Sequence, residues 1–510
     1  MKFKLSLVFL LLVQMITNGQ NETMMREFKN PEKAYSIVPF WSWNGTLEPD
    51  EVKRQIDLMI DKGVYGAFMH ARAGINYGET PYFSDGWWEA MDTTIAYAER
   101  RGFYSWLYDE DKWPSGSAGG RTIKRNPEEF IKKGLMHTLT ECEKGKAYLI
   151  DKKNYLRIFA LRMNGENTFS VKKDLTDLRE NEWIAPDDNW VIVRFKQVED
   201  QAEGRVAHID YFDKDAVRAF INITHEEYLK RYKEQFGKSI PGIFYDEIYF
   251  GIRGNQYLPW TDDFAKVFEK NYNYDILDEL PALLFNSSKS ESVNYDYFEE
   301  LTNRYNEAWF KQIADWCEEN NIGLTGHTEE TFHSYKNEGS YFQTIGSMQI
   351  PGTDNEDFRY NYPRYIKWYK PKQLSSVAHI YGRKTTAVEA MGGGGYIVTP
   401  EEYKYGMASL GAYGINLFIP HFFHYSDNLL QSYTDWPPSW FFRNPYWKYF
   451  KPLADYGRRI SYMNRTGNHV CHVALFYPIT EQWANGFKGE VDDRDYNMVQ
   501  ELLLDNQIDY

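Results

Sequence analysis

The sequence is poor in cysteine, in basic residues and in long apolar runs. Three cysteines, Cys142, Cys317 and Cys471, stand far apart in 510 residues. An odd count at such spacings specifies no disulfide framework. All three read as small buried apolar side chains. Lys and Arg total 58 against 73 Asp and Glu, a net charge of −15. Neutralising phosphates needs a basic face, so a nucleic-acid partner is excluded. Leu5 to Ile16 is apolar apart from Ser6 and Gln14, which is too short to cross a bilayer. With Lys2 and Lys4 before it and Gly19 after it, residues 1–20 read as a secretory signal. The expected location is periplasmic or secreted, with no membrane insertion once the signal is cleaved.

Apolar residues make up 43% of the chain, enough for a large core, and charged residues 26%. Aromatics reach 17%, with 40 Tyr, 32 Phe and 16 Trp. Flat amphipathic rings in that number suit a ligand with both apolar faces and hydroxyls.

Short β-like runs alternate with helical ones, which implies a parallel sheet covered by helices. Eight such runs occur: Ser36–Trp43, Val64–His70, Phe103–Asp109, Gly242–Glu247, Ile322–His327, Ser347–Gly352, Thr385–Met391 and Ile415–His421. Eight strand–helix units specify an α/β fold of the (β/α)8 barrel type. Pro49 opens the first helix, Val52, Ile56, Met59 and Ile60 keep its period, and Gly63 stops it. Tyr295–Asn321, Pro400–Gly414 and Tyr446–Asn464 are further helices, and Asp213–Gly237 is expected as one long helix. The barrel occupies 21–465. Residues 121–206 exceed any barrel loop and read as an inserted β subdomain. From 466 to 510 a strand, His472–Tyr477, and a helix, Tyr496–Asn506, begin a further α/β unit that is unfinished at Tyr510.

A barrel carries its reactive groups where its strands end at the C-terminal face. The strand ends deliver Trp41 and Trp43, then His70 and Arg72, then Asp109 and Glu110, then Asp246 and Glu247. They go on with His327, Glu329 and Glu330, then Asp354, Glu389 and His421. Buried acids are costly unless paired or used. Glycoside hydrolysis uses two of them, one to protonate the leaving oxygen and one to attack or to activate water. Glu247 ends an apolar strand beside Asp246, and the alternation of a strand lets one of the two face a substrate. The competing reading is a pair that caps the next helix. Glu389 is the sole charge in Thr385–Met391 and is followed by Gly392–Gly395, which lets backbone approach a ligand. Its competing role is a buried partner for a core arginine. Trp41, Trp43 and Trp113 are candidate sugar platforms. The remaining acids, with His70, Arg72, His327 and His421, are candidates for binding hydroxyls. The acidic clusters match no EF-hand loop, and His421 with His424 makes no zinc motif, so the metal stays unknown.

The stretches Pro39–Asn44, Gly66–Arg72 and Trp106–Gly116 resemble exported bacterial glycosidases, those of glycoside hydrolase family 106 above all. Tyr245–Glu247, Gly326–His327, Glu389–Gly393 and Asn416–His421 extend the resemblance along the barrel. It implies an α-L-rhamnosidase-like enzyme cleaving side-chain sugars from plant or algal polysaccharide. It implies Glu247 and Glu389 as acid and base, and it allows a calcium ion in the site. Two other classes fit less of the pattern. A non-catalytic carbohydrate-binding barrel has no use for both carboxylates. A metal-dependent barrel hydrolase would want paired histidines where Trp41-Ser42-Trp43 stands.

Overall fold

A computed structural model describes residues 22–72, 80–200, 207–252, 256–328, 339–355, 369–426, 434–486 and 494–510. Its strands in chain order are β1 (Phe40–Trp43), β2 (Gly66–Ala71), β3 (Tyr104–Asp111), β4 (Lys133–Cys142), β5 (Ala147–Leu149) and β6 (Arg157–Met163). There follow β7 (Phe169–Asp174), β8 (Glu182–Ile184), β9 (Trp190–Glu199), β10 (Gly242–Ile248) and β11 (Tyr257–Trp260). The last are β12 (Gly323–Thr328), β13 (Gly352–Asn355), β14 (Ala387–Ala390), β15 (Leu417–Pro420) and β16 (Phe423–His424). The chain divides into two units. The first comprises Met1–Tyr108, Gln235–Phe244 and Ile350–Val470. The second comprises Asp109–Glu234, Tyr245–Gln349 and Cys471–Tyr510, so the chain changes unit within β3 and within β10.

In the first unit, β16, β1, β2, β3 and β10 lie side by side, and β13, β14 and β15 form a separate parallel sheet. Side chains alternate along each strand. Phe40, Phe68, Trp106, Tyr108, Phe244, Ala387, Leu417 and Ile419 point the same way and share one apolar cluster. Each of the Phe, Leu and Ile side chains among them contributes roughly 1.5–3 kcal/mol on burial. The other faces carry the helices. The helix Pro49–Asp61 opens on Pro49 as expected, and Gly63 beyond its end takes φ +79°.

In the second unit, β11, β4, β9, β6 and β7 build an antiparallel sheet over its own core of Ile158, Ala160, Trp183, Trp190 and Ile192. Four of these five strands come from within 133–199, and β11 joins from beyond β10. β12 runs beside the end of β10. Ser290–Tyr305 and Gln312–Glu319 are continued through a π-helical turn, Asn306–Lys311. Trp483, in the helix Ile479–Asn485, packs on Tyr295 at 5.7 Å between ring centroids.

Five expectations change. Among the described residues the parallel ladders fall into two sheets and do not draw one closed ring of eight; what stands is a mixed α/β fold with parallel strands and many helices. The eighth strand is split: β15 pairs with β14, and β16, two residues on, pairs with β1. The sixth strand starts where its expected run ended, because the helix Tyr341–Gly346 and its exit use the preceding residues. The long helix after 213 breaks at Thr224, whose side chain bonds back to Phe220 O, into Lys214–Ile223 and His225–Tyr232. No strand forms over His472–Tyr477, where no ladder partner is present among the described residues and Phe476 stays exposed. The signal segment, residues 1–20, lies outside the described residues.

Candidate active site

The second unit holds one group of acids, at the ends of β3 and β10. Ser115 ties the two ends together. Its hydroxyl donates to Asp109 Oδ1 (2.5 Å) and accepts from the Asp246 N–H (2.8 Å), and its own N–H donates to the Asp246 carbonyl (2.8 Å). Asp109 is fully buried. Burial pushes its carboxyl well above the usual range, the Ser115 bond opposes this, and the charges of Glu110 and Asp246 add to it. Asp246 Oδ1 faces His327 Nε2 at 3.3 Å. His327 Nδ1 lies 2.8 Å from the Thr328 carbonyl, which can only accept, so the proton of that nitrogen is fixed there. Nε2 is then left to take or give a proton toward Asp246.

Glu110 has a different office. Its Oε1 accepts from the N–H groups of Asp111 (2.8 Å) and Gly119 (2.7 Å), and its Oε2 from that of Ala118 (2.8 Å). Both oxygens thus brace the loop 111–119, where Lys112, Gly116, Ala118 and Gly119 take positive φ and Trp113 is half-buried. Burial pushes the Glu110 carboxyl up to about 8 against the pull of these three donors.

Glu247 leaves the alternation of its strand. Tyr245, two residues earlier, packs on Trp309 and Phe310 of the helical layer. A regular strand would aim Glu247 the same way, but its φ of +45° re-aims it. Tyr249 donates its hydroxyl to Glu247 Oε2 at 2.9 Å. The Tyr249 backbone is itself held by Lys132, which is buried, donates to the carbonyls of Tyr249 and Gly251, and lies 4.6 Å from the Tyr211 ring centroid. His208, paired with Asp200 at 2.6 Å, meets the Tyr249 ring edge-on.

The first unit holds the second group. Glu389 is buried in β14 with the parity of Ala387, which belongs to the apolar cluster, so both face the interior of their sheet. Asp354 of β13 is its register partner, and in-register neighbours on parallel strands share a face. His70 is fully buried, stacked on Phe40 at 4.9 Å and edge-on to Tyr108 at 4.0 Å. Burial, then the charges of Arg72 and His421, keep it well below the usual imidazole range and therefore neutral. Arg72 grips Asp435 as a fork, Nη2 at 2.8 Å and Nε at 3.1 Å from Oδ1, with its guanidinium 5.2 Å from the Phe422 ring centroid. Burial would raise Asp435, but bonds to His424 and Arg72 hold it far below the usual carboxylate range. His421 is buried where β15 ends.

Two expected platforms change role. Trp41 and Trp43 are fully buried on the face opposite Phe40. Trp41 Nε1 donates to Gln55 of the covering helix at 2.7 Å, and Trp43 meets Trp87 at 5.0 Å. The period-two rule puts both toward the helices, so they are core residues. Glu329 and Glu330 lie outside the described residues. Asp435, Lys132, Ser115 and Tyr249 are additions that strand ends alone did not reveal.

A calcium ion wants six to eight oxygens. Within the first unit Asp354 and Glu389 offer carboxylates side by side; in the second, His327 presents a nitrogen to Asp246. Neither group supplies an all-oxygen cage among the described residues, so neither fits calcium by itself.

The comparisons with known proteins agree with this picture. The family model for glycoside hydrolase family 106, described as alpha-L-rhamnosidase, matches residues 160–498. The fold is similar to that of a rhamnosidase from Novosphingobium sp. PP1Y, with TM-score 0.64 and 16% identity over 92% of this chain and 63% of that one. The chain therefore spans less than two thirds of that protein's length. A β-galactosidase from the psychrophilic Marinomonas ef1 is more distant, with TM-score 0.41 and 10% identity over 75% of this chain and 54% of the other. No curated protein matches significantly. With more than half of its residues under the family model, the chain belongs to glycoside hydrolase family 106.

Proposed function

We propose that this chain is an exported glycoside hydrolase, built on a (β/α)8 barrel, that removes terminal α-L-rhamnose or a related sugar from complex plant or algal polysaccharide. Family membership supports the class of reaction, and the alternation of parallel strands with helices supports the barrel. The observation that carries the reading is Glu389, a buried carboxylate on the interior face of a parallel strand and close to its end.

In this reading Glu247 is the general acid. It protonates the glycosidic oxygen as the bond to the anomeric carbon breaks. The Tyr249 hydroxyl orients its carboxyl group. Glu389 acts on the opposite face, as base toward water or as nucleophile; the separation of the two carboxyl groups distinguishes inversion from retention. Arg72, fixed by Asp435, neutral His70, and His421 bind hydroxyls of the sugar. Asp109, Asp246 and His327 form a hydrogen-bonding group behind the acid. No step is routed through a metal.

The test is a hydrolysis screen of the purified chain from residue 21. Aryl α-L-rhamnoside comes first, then galacturonide, fucoside and galactoside, each with and without EDTA. Release of aryl alcohol from one of them, lost in Glu389→Gln, is the expected result. Release that survives in Glu389→Gln overturns the assignment of that residue. Loss of all activity in EDTA adds a metal ion to the requirements of the reaction.

A further inference from the structure

Among the described tryptophans, Trp436 alone is exposed, at 42%. Its backbone is also unusual. It takes φ +48°, a left-handed conformation that residues with side chains rarely adopt. Such outliers persist only where the surroundings enforce them, and they gather at functional sites.

The surroundings here are explicit. On one side, Asp435 is clamped in the Arg72 fork. On the other, the Gly395 N–H donates to the Pro437 carbonyl at 2.9 Å, and the Gly393 N–H lies 3.4 Å from the Trp436 carbonyl. The indole lies against two glycines. A Cβ on Gly392 would sit 3.0 Å from Trp436 Cδ1 and equally close to His421 Nδ1. A Cβ on Gly393 would sit 3.1 Å from Trp436 Nε1. The glycine run that begins three residues after Glu389 thus makes room for this ring and for His421 at once.

An exposed indole beside hydrogen-bonding groups matches a pyranose, whose C–H face stacks on an aromatic ring while its edge carries hydroxyls. We propose that Trp436 is a sugar-stacking platform, a specificity-determining residue that contacts the pyranose ring of the substrate. His421 and the Arg72–Asp435 pair beside it take hydroxyls. The inference rests on the glycoside hydrolase reading for its substrate, and it deepens that reading.

The experiment compares wild type with Trp436→Ala and Trp436→Phe. It uses the aryl glycoside that wild type hydrolyses, with thermal melting as a fold check. Saturation-transfer NMR with free L-rhamnose, galacturonate, fucose and galactose is run in parallel. For Trp436→Ala we expect KM to rise tenfold or more with kcat changed less than KM, unchanged melting, and loss of the saturation signal. Trp436→Phe, which keeps a flat ring, should recover most of the KM. An unchanged KM in Trp436→Ala overturns the proposal and leaves the hydrolase reading standing. A wild type that hydrolyses none of the glycosides but binds a sugar through Trp436 overturns the hydrolase reading alone. A wild type that neither hydrolyses nor binds any of them overturns both. If Trp436→Ala melts early, the Trp436→Phe variant decides, since a ring requirement predicts near-normal KM there and a loss of KM contradicts it.

Discussion

The two carboxylates assigned to catalysis are placed by opposite means. Glu389 stands in an undistorted strand, flanked by register partners on β13 and β15. The regular hydrogen-bond ladder sets the face to which it points. Glu247 stands where its strand stops being regular, at φ +45°, and needs a hydroxyl, a buried lysine and an anchored loop around it. A group held by a ladder is rigid and tolerant of its neighbours. A group held by a network can be tuned, and it is exposed to damage at every member of that network.

The comparison is broken most directly by substituting the two acids. Glu247→Gln and Glu389→Gln should each lower kcat by about 10²–10⁴-fold, with little change in melting temperature. They should differ in leaving-group dependence. An aryl leaving group needs little protonation, so Glu247→Gln should lose far less on a nitrophenyl glycoside than on an alkyl glycoside. Glu389→Gln should lose equally on both. Equal losses in both variants would show that the roles are not divided as assigned.

The anchored loop gives the next effect. Glu110→Gln puts an amide NH₂ where one or two backbone N–H groups point, and should cost about 1–3 kcal/mol in denaturant unfolding. It should also flatten a pH dependence. A carboxyl raised to about 8 in the folded state, from an ordinary 4.5, holds its proton in the folded protein while the unfolded chain has lost it. Its contribution is therefore full at low pH and falls as pH rises toward 8. The buried neutral histidines act in the other direction, but only below their ordinary 6.5. Between about 6.5 and 8, then, wild type should lose stability with rising pH and Glu110→Gln should lose less; parallel slopes would contradict the assignment.

The smallest effect separates network from ladder. Tyr249→Phe removes one hydrogen bond to Glu247, and should lower kcat about tenfold or less with KM and melting unchanged. Lys132→Met should lower kcat similarly, and should also destabilise, because two buried carbonyls lose their donor. Substitutions on the far face of β13 should leave kcat unchanged. A tenfold loss from Thr353→Val, on the opposite face of β13, would erase the distinction.

How much of this was readable from the amino acids follows the same division. Seven of the eight β-like runs contain most or all of a strand, because apolar runs bounded by helix signals are a local property; the sixth meets its strand only at Gly352. Glu389 was legible because a lone charge in an apolar run is conspicuous. Glu247 was legible as a residue, and its twisted backbone was not. Trp41 and Trp43 were misplaced by reading strand ends without strand parity; their spacing of two, opposite Phe40, carried the answer. Asp435 meets Arg72 across 363 residues, a separation no local pattern spans. Lys132 sits in a Lys-Lys pair that reads as solvated surface, and only the fold shows it buried. The split of the eighth strand depends on which neighbour each half finds, which no window of sequence contains.

The interleaving of the two units has a consequence for synthesis. Each is assembled from three separate stretches of chain. The antiparallel sheet of the second unit needs nothing beyond Trp260, so it can form while later residues are still being added. The first unit cannot close its set of strands until β16 has emerged, long after β1. During that interval β1 and β2 have apolar faces and incomplete neighbours. Under the export proposed above, a unit that cannot finish folding until late would stay threadable through a translocation pore.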